Sequence, residues 1–138
     1  MKPISEHISY LEATNGCIPN ATQLAAMENV AAKLFEPIRK WYGKPIAINS
    51  FYRSVEYNAK IKGAKNSQHC TGEAIDIDAG ADNYLIWNWL RSSNLVYDQI
   101  LNEKPINGNP SWIHISLKLV GTNRNQKLMF NGKNYIGV

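Results

Sequence analysis

Nowhere in the 138 residues do about 18 apolar positions run together, so no segment reads as a membrane-crossing helix. The opening residues Met1 to His7 also lack an apolar segment of the secretory kind, which predicts a product without a signal peptide, made in the cytoplasm. Lysine and arginine never cluster and the net charge is only +4, so phosphate tracking along nucleic acid is not expected. Cysteine is scarce: a chain of this length can form a proper core without a disulfide, and Cys17 and Cys70 are read as free thiols. Repeats, low-complexity tracts and linkers are all missing. A charged fraction of 19% beside 44% hydrophobic residues excludes disorder. A single domain over residues 1–138 remains, taken as a monomer, large enough to bury about two thirds of its unfolded surface.

The periodicity present is mixed. Leu24, Met27, Ala31, Leu34, Ile38 and Trp41 recur at three- and four-residue steps after Asn20, predicting an amphipathic helix that Pro37 kinks or divides and Gly43 ends. Residues 45–50 alternate and read as a strand; Ser54 caps a short helix whose C′ residue is Gly63. Residues 74–78 form a strand with Asp76 and Asp78 on one face and Ile75 and Ile77 on the other. Asp82 is expected to cap a helix through Leu90, residues 97–101 and 112–119 to form two further strands, and Asn131-Gly132 to turn a closing hairpin. The fold class is α+β: a central antiparallel sheet carrying a site on one face, with helices on the other.

Chemistry concentrates in Ser67-Gln68-His69-Cys70-Thr71-Gly72-Glu73-Ala74-Ile75-Asp76 and, further on, Ser111-Trp112-Ile113-His114-Ile115-Ser116. His69 and Asp76 lie too far apart for one helical face but suit a loop residue and a strand residue that converge after the turn Gly72 permits. His114 falls on the polar face of its strand. Two imidazoles and a carboxylate suit one zinc ion, with the fourth tetrahedral position left open, as catalytic sites require. Zinc lowers the pKa of water from about 15.7 to roughly 7, which points to hydrolysis. Asp78 competes with Asp76 for the carboxylate role, since both share a face.

The pattern Ser-x-His-x-x-Gly-x-Ala-x-Asp followed by Trp-x-His-x-Ser resembles the zinc D-Ala-D-Ala metallopeptidases, a group similar to hedgehog signalling domains and to lysostaphin. Residues 49–54, 63–67, 98–103 and 121–126 extend the resemblance over most of the chain, toward its short phage and bacterial carboxypeptidase branch. Its register selects Asp76 over Asp78 and gives Cys70 no ligand role.

The resemblance further implies a general base at Glu103, through the spacing Asp98-Gln99-x-x-x-Glu103. Amide hydrolysis needs such a carboxylate to accept a proton and return it to the departing amine. Several relatives instead carry Glu three residues before the last ligand or His two before it, where this chain has Ser111 and Trp112. Arg53 is expected to grip a substrate carboxylate or the developing oxyanion, Ser67 and Ser116 to orient ligands by hydrogen bonds, and Trp112 to wall the substrate site. Trp41, Trp87 and Trp89 are read as core, and Arg124 receives no role. The implied substrate is the peptidoglycan stem peptide, cut as a D-Ala-D-Ala carboxypeptidase or an L-Ala-D-Glu endopeptidase does. The protein would reach the cell wall after lysis, by another export route, or in a phage particle. The alternative is a weakly active or inactive metal-containing module that binds the cell wall.

Overall fold

The computed structural model describes residues 1–138. Ser9 and Glu12 form a reciprocal capping box that starts α1 (Tyr10–Thr14), and Asn20 with Gln23 does the same for α2 (Ala21–Val30). A π turn over Ala31–Phe35 follows, and α3 (Glu36–Tyr42) continues from it until Gly43 adopts φ 76°. Pro37 therefore does not break this helix. It sits in the first turn after the π segment, where a wider turn accommodates a residue with no N–H to donate.

The six strands are β1 (Ala47–Ser50), β2 (Ala74–Asp78), β3 (Gln99–Glu103), β4 (Trp112–Ser116), β5 (Gln126–Phe130) and β6 (Tyr135–Gly137), arranged β1-β2-β4-β3-β5-β6. All neighbours are antiparallel except β3 and β5, which run parallel. The sheet is thus mixed, correcting the expected antiparallel one. The connection from β4 to β5 carries the chain back across the sheet, so β5 enters beside β3 in the same direction.

Alternation along the strands sorts the two faces. Ile75, Ile77, Ile100, Ile113 and Ile115 are fully buried in one cluster with Met27, Val30, Leu34, Phe35 and Ile38 from the long helix and with Ile86, Trp87 and Leu90 from α5 (Asn83–Arg91). Each such side chain contributes about 1.5–3 kcal/mol of burial free energy. The opposite face presents Asp76, His114, Trp112, Leu101 and Glu103.

Three local expectations change. Trp41 is 40% exposed and stacks on Trp89 at 4.6 Å, outside the core. The left-handed residue after α4 (Val55–Lys60) is Lys62, not Gly63. Asp82 makes no capping bond; its carboxylate accepts from Tyr42 Oη, while Asn109 Oδ1 accepts from the Tyr84 N–H in the first turn of α5.

Candidate metal centre

The site begins with a short 3₁₀ turn, Gln68–Thr71, capped by the Ser67 hydroxyl, which accepts from the His69 N–H at 3.2 Å. Gly72 ends it at φ 80°, and a Cβ there would come within 2.5 Å of the Gln23 carbonyl oxygen and 2.9 Å of Met27 Cγ. Only glycine satisfies both the left-handed turn and the close packing on α2. The turn places His69, buried, directly over β2.

Asp76 and His114 are register partners across the β2–β4 pair. His114 Nδ1 lies 3.0 Å from Asp76 Oδ1, and His69 Nε2 lies 3.2 Å from Asp76 Oδ2. The His69 Nδ1–H donates to the Phe51 carbonyl at 2.7 Å, because a carbonyl can only accept. Neutral His69 then turns its Nε2 lone pair toward a carboxylate oxygen. Two acceptors face one another, and a cation between them resolves the conflict.

The titration tendencies agree with that arrangement. Burial pushes the His69 pKa down and favours the neutral ring. Burial alone would raise Asp76, but the adjacent imidazoles, His114 first, outweigh it and hold the carboxyl well below the usual range. Donor atoms of His69, Asp76 and His114 all lie within 4.8 Å of one another. Two imidazole nitrogens and a carboxylate oxygen form a donor set that fits zinc. Asp78 is not in the group: its Oδ1 accepts from the Gly80 N–H and from Asn83 Nδ2 at the end of the strand. Cys70 is also outside it and, like Cys17, is a free thiol.

His69, Asp76 and His114 line an open cleft of about 690 Å³. Glu103 pairs with Trp112 across β3 and β4, two residues before His114, and so shares the ligand face. Burial raises its pKa above the ordinary carboxylate range, with nearby His114 offsetting part of the rise. The Trp112 indole N–H also offsets a little, yet it lacks the geometry of a hydrogen bond to Glu103 and has no other partner. Arg53 is largely buried, with Nε donating to Ser50 Oγ at 2.8 Å, Nη1 to Asn58 Oδ1 at 3.2 Å and Nη2 to Asp76 Oδ2 at 3.4 Å. Ser116 is buried in the sheet; its hydroxyl is engaged by the Gln99 backbone and touches none of the three donors, contrary to the expectation that it orients a ligand.

Several residues in or behind the cleft wall had no role assigned from the sequence. Asn58 receives Arg53 and donates to the Ala64 carbonyl, and a Cβ on Gly63 would lie 2.0 Å from Asn58 Oδ1. Gly63 therefore makes room for the arginine's anchor. Asp98, noted only for its spacing to Glu103, is fully buried and binds both Gln68 and Arg124. Gln126, Leu128 and Tyr135 form the far wall from β5 and β6.

Among known proteins, the zinc D-Ala-D-Ala carboxypeptidase of Streptomyces albus G is 44% identical over 41 residues, which cover 30% of this chain and 16% of that enzyme. The chain thus matches only a small part of that relative's length. Comparison with protein families matches residues 5–116, from the first β-bridge to the end of β4, and on that span the chain belongs to the peptidase M15 family.

Proposed function

We propose that this chain is a single-domain zinc peptidase that hydrolyses amide bonds in the stem peptides of bacterial peptidoglycan. The observation that carries this most strongly is the convergence of His69 Nε2, Asp76 and His114 Nδ1 on one point of the cleft, with Glu103 on the same sheet face. Zinc, when bound, supplies Lewis acidity and makes water nucleophilic near neutral pH.

The protein's own groups do the rest. Glu103, with a pKa raised by burial, accepts the proton of the attacking water and returns it to the departing amine. The His69–Phe51 hydrogen bond fixes the tautomer that offers Nε2. Arg53 steadies Asp76 through Nη2 and retains protons on Nη1 and Nη2 for the oxygen that gains charge as the amide is attacked. Trp112 forms an apolar wall beside it. A purely binding module would have no use for a half-buried carboxylate on the same sheet face as the metal ligands.

Both carboxypeptidase and endopeptidase cleavage suit this machinery. Incubating the zinc-loaded protein with purified peptidoglycan and identifying released fragments by mass decides between them. Free D-alanine marks the first and newly exposed L-alanine carboxyls the second; no released fragment overturns the proposal in favour of a cell-wall binding module.

A further inference from the structure

Asp98 gathers Arg124 from three directions. Its Oδ1 accepts from the Arg124 backbone N–H at 3.1 Å and from Nε at 2.9 Å, and its Oδ2 accepts from Nη2 at 2.6 Å. Gln68 Nε2 also donates to Oδ2, at 2.9 Å, tying the same carboxylate to the residue before His69. One edge of the guanidinium is thereby fixed. The other edge, Nη1 and the second proton of Nη2, has no partner in the protein, and the side chain is 49% exposed in the cleft wall. Lys118 Nζ also stands 3.8 Å from Asp98, so two cations share one carboxylate. Glu103 lies at the opposite end of β3. Arg53 takes a different part: its Nη2 lies 3.4 Å from Asp76 Oδ2, so its remaining protons are at the metal-ligand end of the cleft.

Strand register sets the spacing. His114 is level with Leu101 and Leu128, whereas Gln99 and Gln126 are level with Ser116, a step of two residues or about 7 Å. Arg124 lies beyond Gln126 in the same direction. A carboxylate on the residue at the cut bond reaches only about 3.5 Å from it, one residue length, and falls short. One carried two or three residues away spans the gap. Arg124 and the β5 wall lie outside the residues 5–116 matched to the family.

We infer that Arg124 is a substrate-binding residue whose free edge grips a peptide carboxylate two to three residues from the scissile bond, with Asp98 as its positioning residue. This rests on the peptidase reading above. In a stem peptide the α-carboxylate of γ-linked D-glutamate has that spacing from the terminal D-Ala-D-Ala bond, and does not have it from the bond at its own nitrogen. Arg124 therefore favours the carboxypeptidase cut.

The test uses two synthetic pentapeptide stems, L-Ala-γ-D-Glu-L-Lys-D-Ala-D-Ala, with the glutamyl α-carboxylate free or amidated. Binding is measured by calorimetry and turnover by release of D-alanine. The wild-type, zinc-loaded protein should bind the free acid roughly 10- to 100-fold more tightly, the value of a charge-assisted hydrogen-bonded pair. Arg124→Lys keeps a cation beside Asp98 and should lose most of the preference, raising KM for the free acid more than it lowers kcat. The double variant Asp98→Asn with Arg124→Gln removes both charges together and should show no preference, with thermal melting confirming that it folds. Equal binding of the two peptides by wild type, binding of neither, or a preference that survives in both variants overturns the inference. A binding preference without cleavage supports the role of Arg124 and counts against the hydrolytic reading instead.

Discussion

Asp76 and Asp98 are both buried carboxylates with depressed pKa values, but their neighbours differ in kind. Asp76 faces two imidazoles, groups that can be neutral and then offer lone pairs, with a single long contact to Arg53. Asp98 faces the N–H groups of Arg124, Lys118 and Gln68, which point protons at it and no lone pair. Burial by itself would raise both. In Asp98 the hydrogen bonds of Arg124 win and hold the pKa at about 2. A carboxylate among acceptors is an incomplete site that a cation completes; a carboxylate among fixed donors is already complete and serves as an anchor.

The sharpest way to break this comparison is to neutralise each in turn. Asp76→Asn should lose bound zinc and all measurable hydrolysis, whereas Asp98→Asn should retain zinc, as read by elemental analysis of dialysed protein. Equal zinc loss from both would erase the distinction. Glu103→Gln should keep zinc and the melting temperature but slow turnover by roughly 10²–10⁴, since the amide preserves volume and removes the proton acceptor; wild-type kcat would move the base elsewhere.

A smaller effect attends the groups that support Asp76. Arg53→Lys preserves charge but cannot reach Ser50, Asn58 and Asp76 at once, and kcat/KM should fall about 10- to 100-fold, the usual cost of losing a ligand's partner. Unchanged kinetics would leave Arg53 a structural ion pair. The smallest effect concerns acid stability. The native pKa of Asp98 lies below its unfolded value, so its contribution is complete above about pH 4 and is lost as pH falls toward about 2. Unfolding free energies of wild type and Asp98→Asn, from urea titrations, should differ by about 1–3 kcal/mol at neutral pH and converge near pH 2; a constant gap would show that the stabilisation is not ionic.

Much of the cluster of His69, Asp76 and His114 was legible because strand alternation is rigid. Once residues 74–78 and 112–116 are paired strands with their isoleucines on the core side, Asp76 and His114 fall on the same outer face, and Gly72 accounts for the turn that delivers His69. The π turn before Pro37 left no pattern, because a helix that widens for one turn keeps its apolar residues on nearly the same side. Residues 126–130 do not alternate in polarity, since both faces of β5 are only half buried; the Asn131-Gly132 turn announced the β5–β6 hairpin, but nothing showed that it joins β3 in parallel. The pairing of Asp98 with Arg124 bridges 26 positions of sequence, and only the parallel crossover brings them together. Trp41 followed the helical period faithfully, yet that period cannot tell a buried stripe from an aromatic stack at its margin.

The parallel entry of β5 has a consequence for solubility as well as for the cleft. Without it, β3 would expose a five-residue ladder of unpaired N–H and C=O groups flanked by Ile100 and Leu101, a template for pairing with another molecule. With β5 and β6 in place the sheet ends instead in a strand of three residues, Tyr135–Gly137, and at its other border in β1, four residues long and irregular between Ile48 and Ser50. Short, broken borders are poor templates. The same 13 residues from Gln126 to Val138 that wall the cleft thus also guard the molecule against self-association, and truncation before Gln126 should send it into aggregates rather than merely open the cleft.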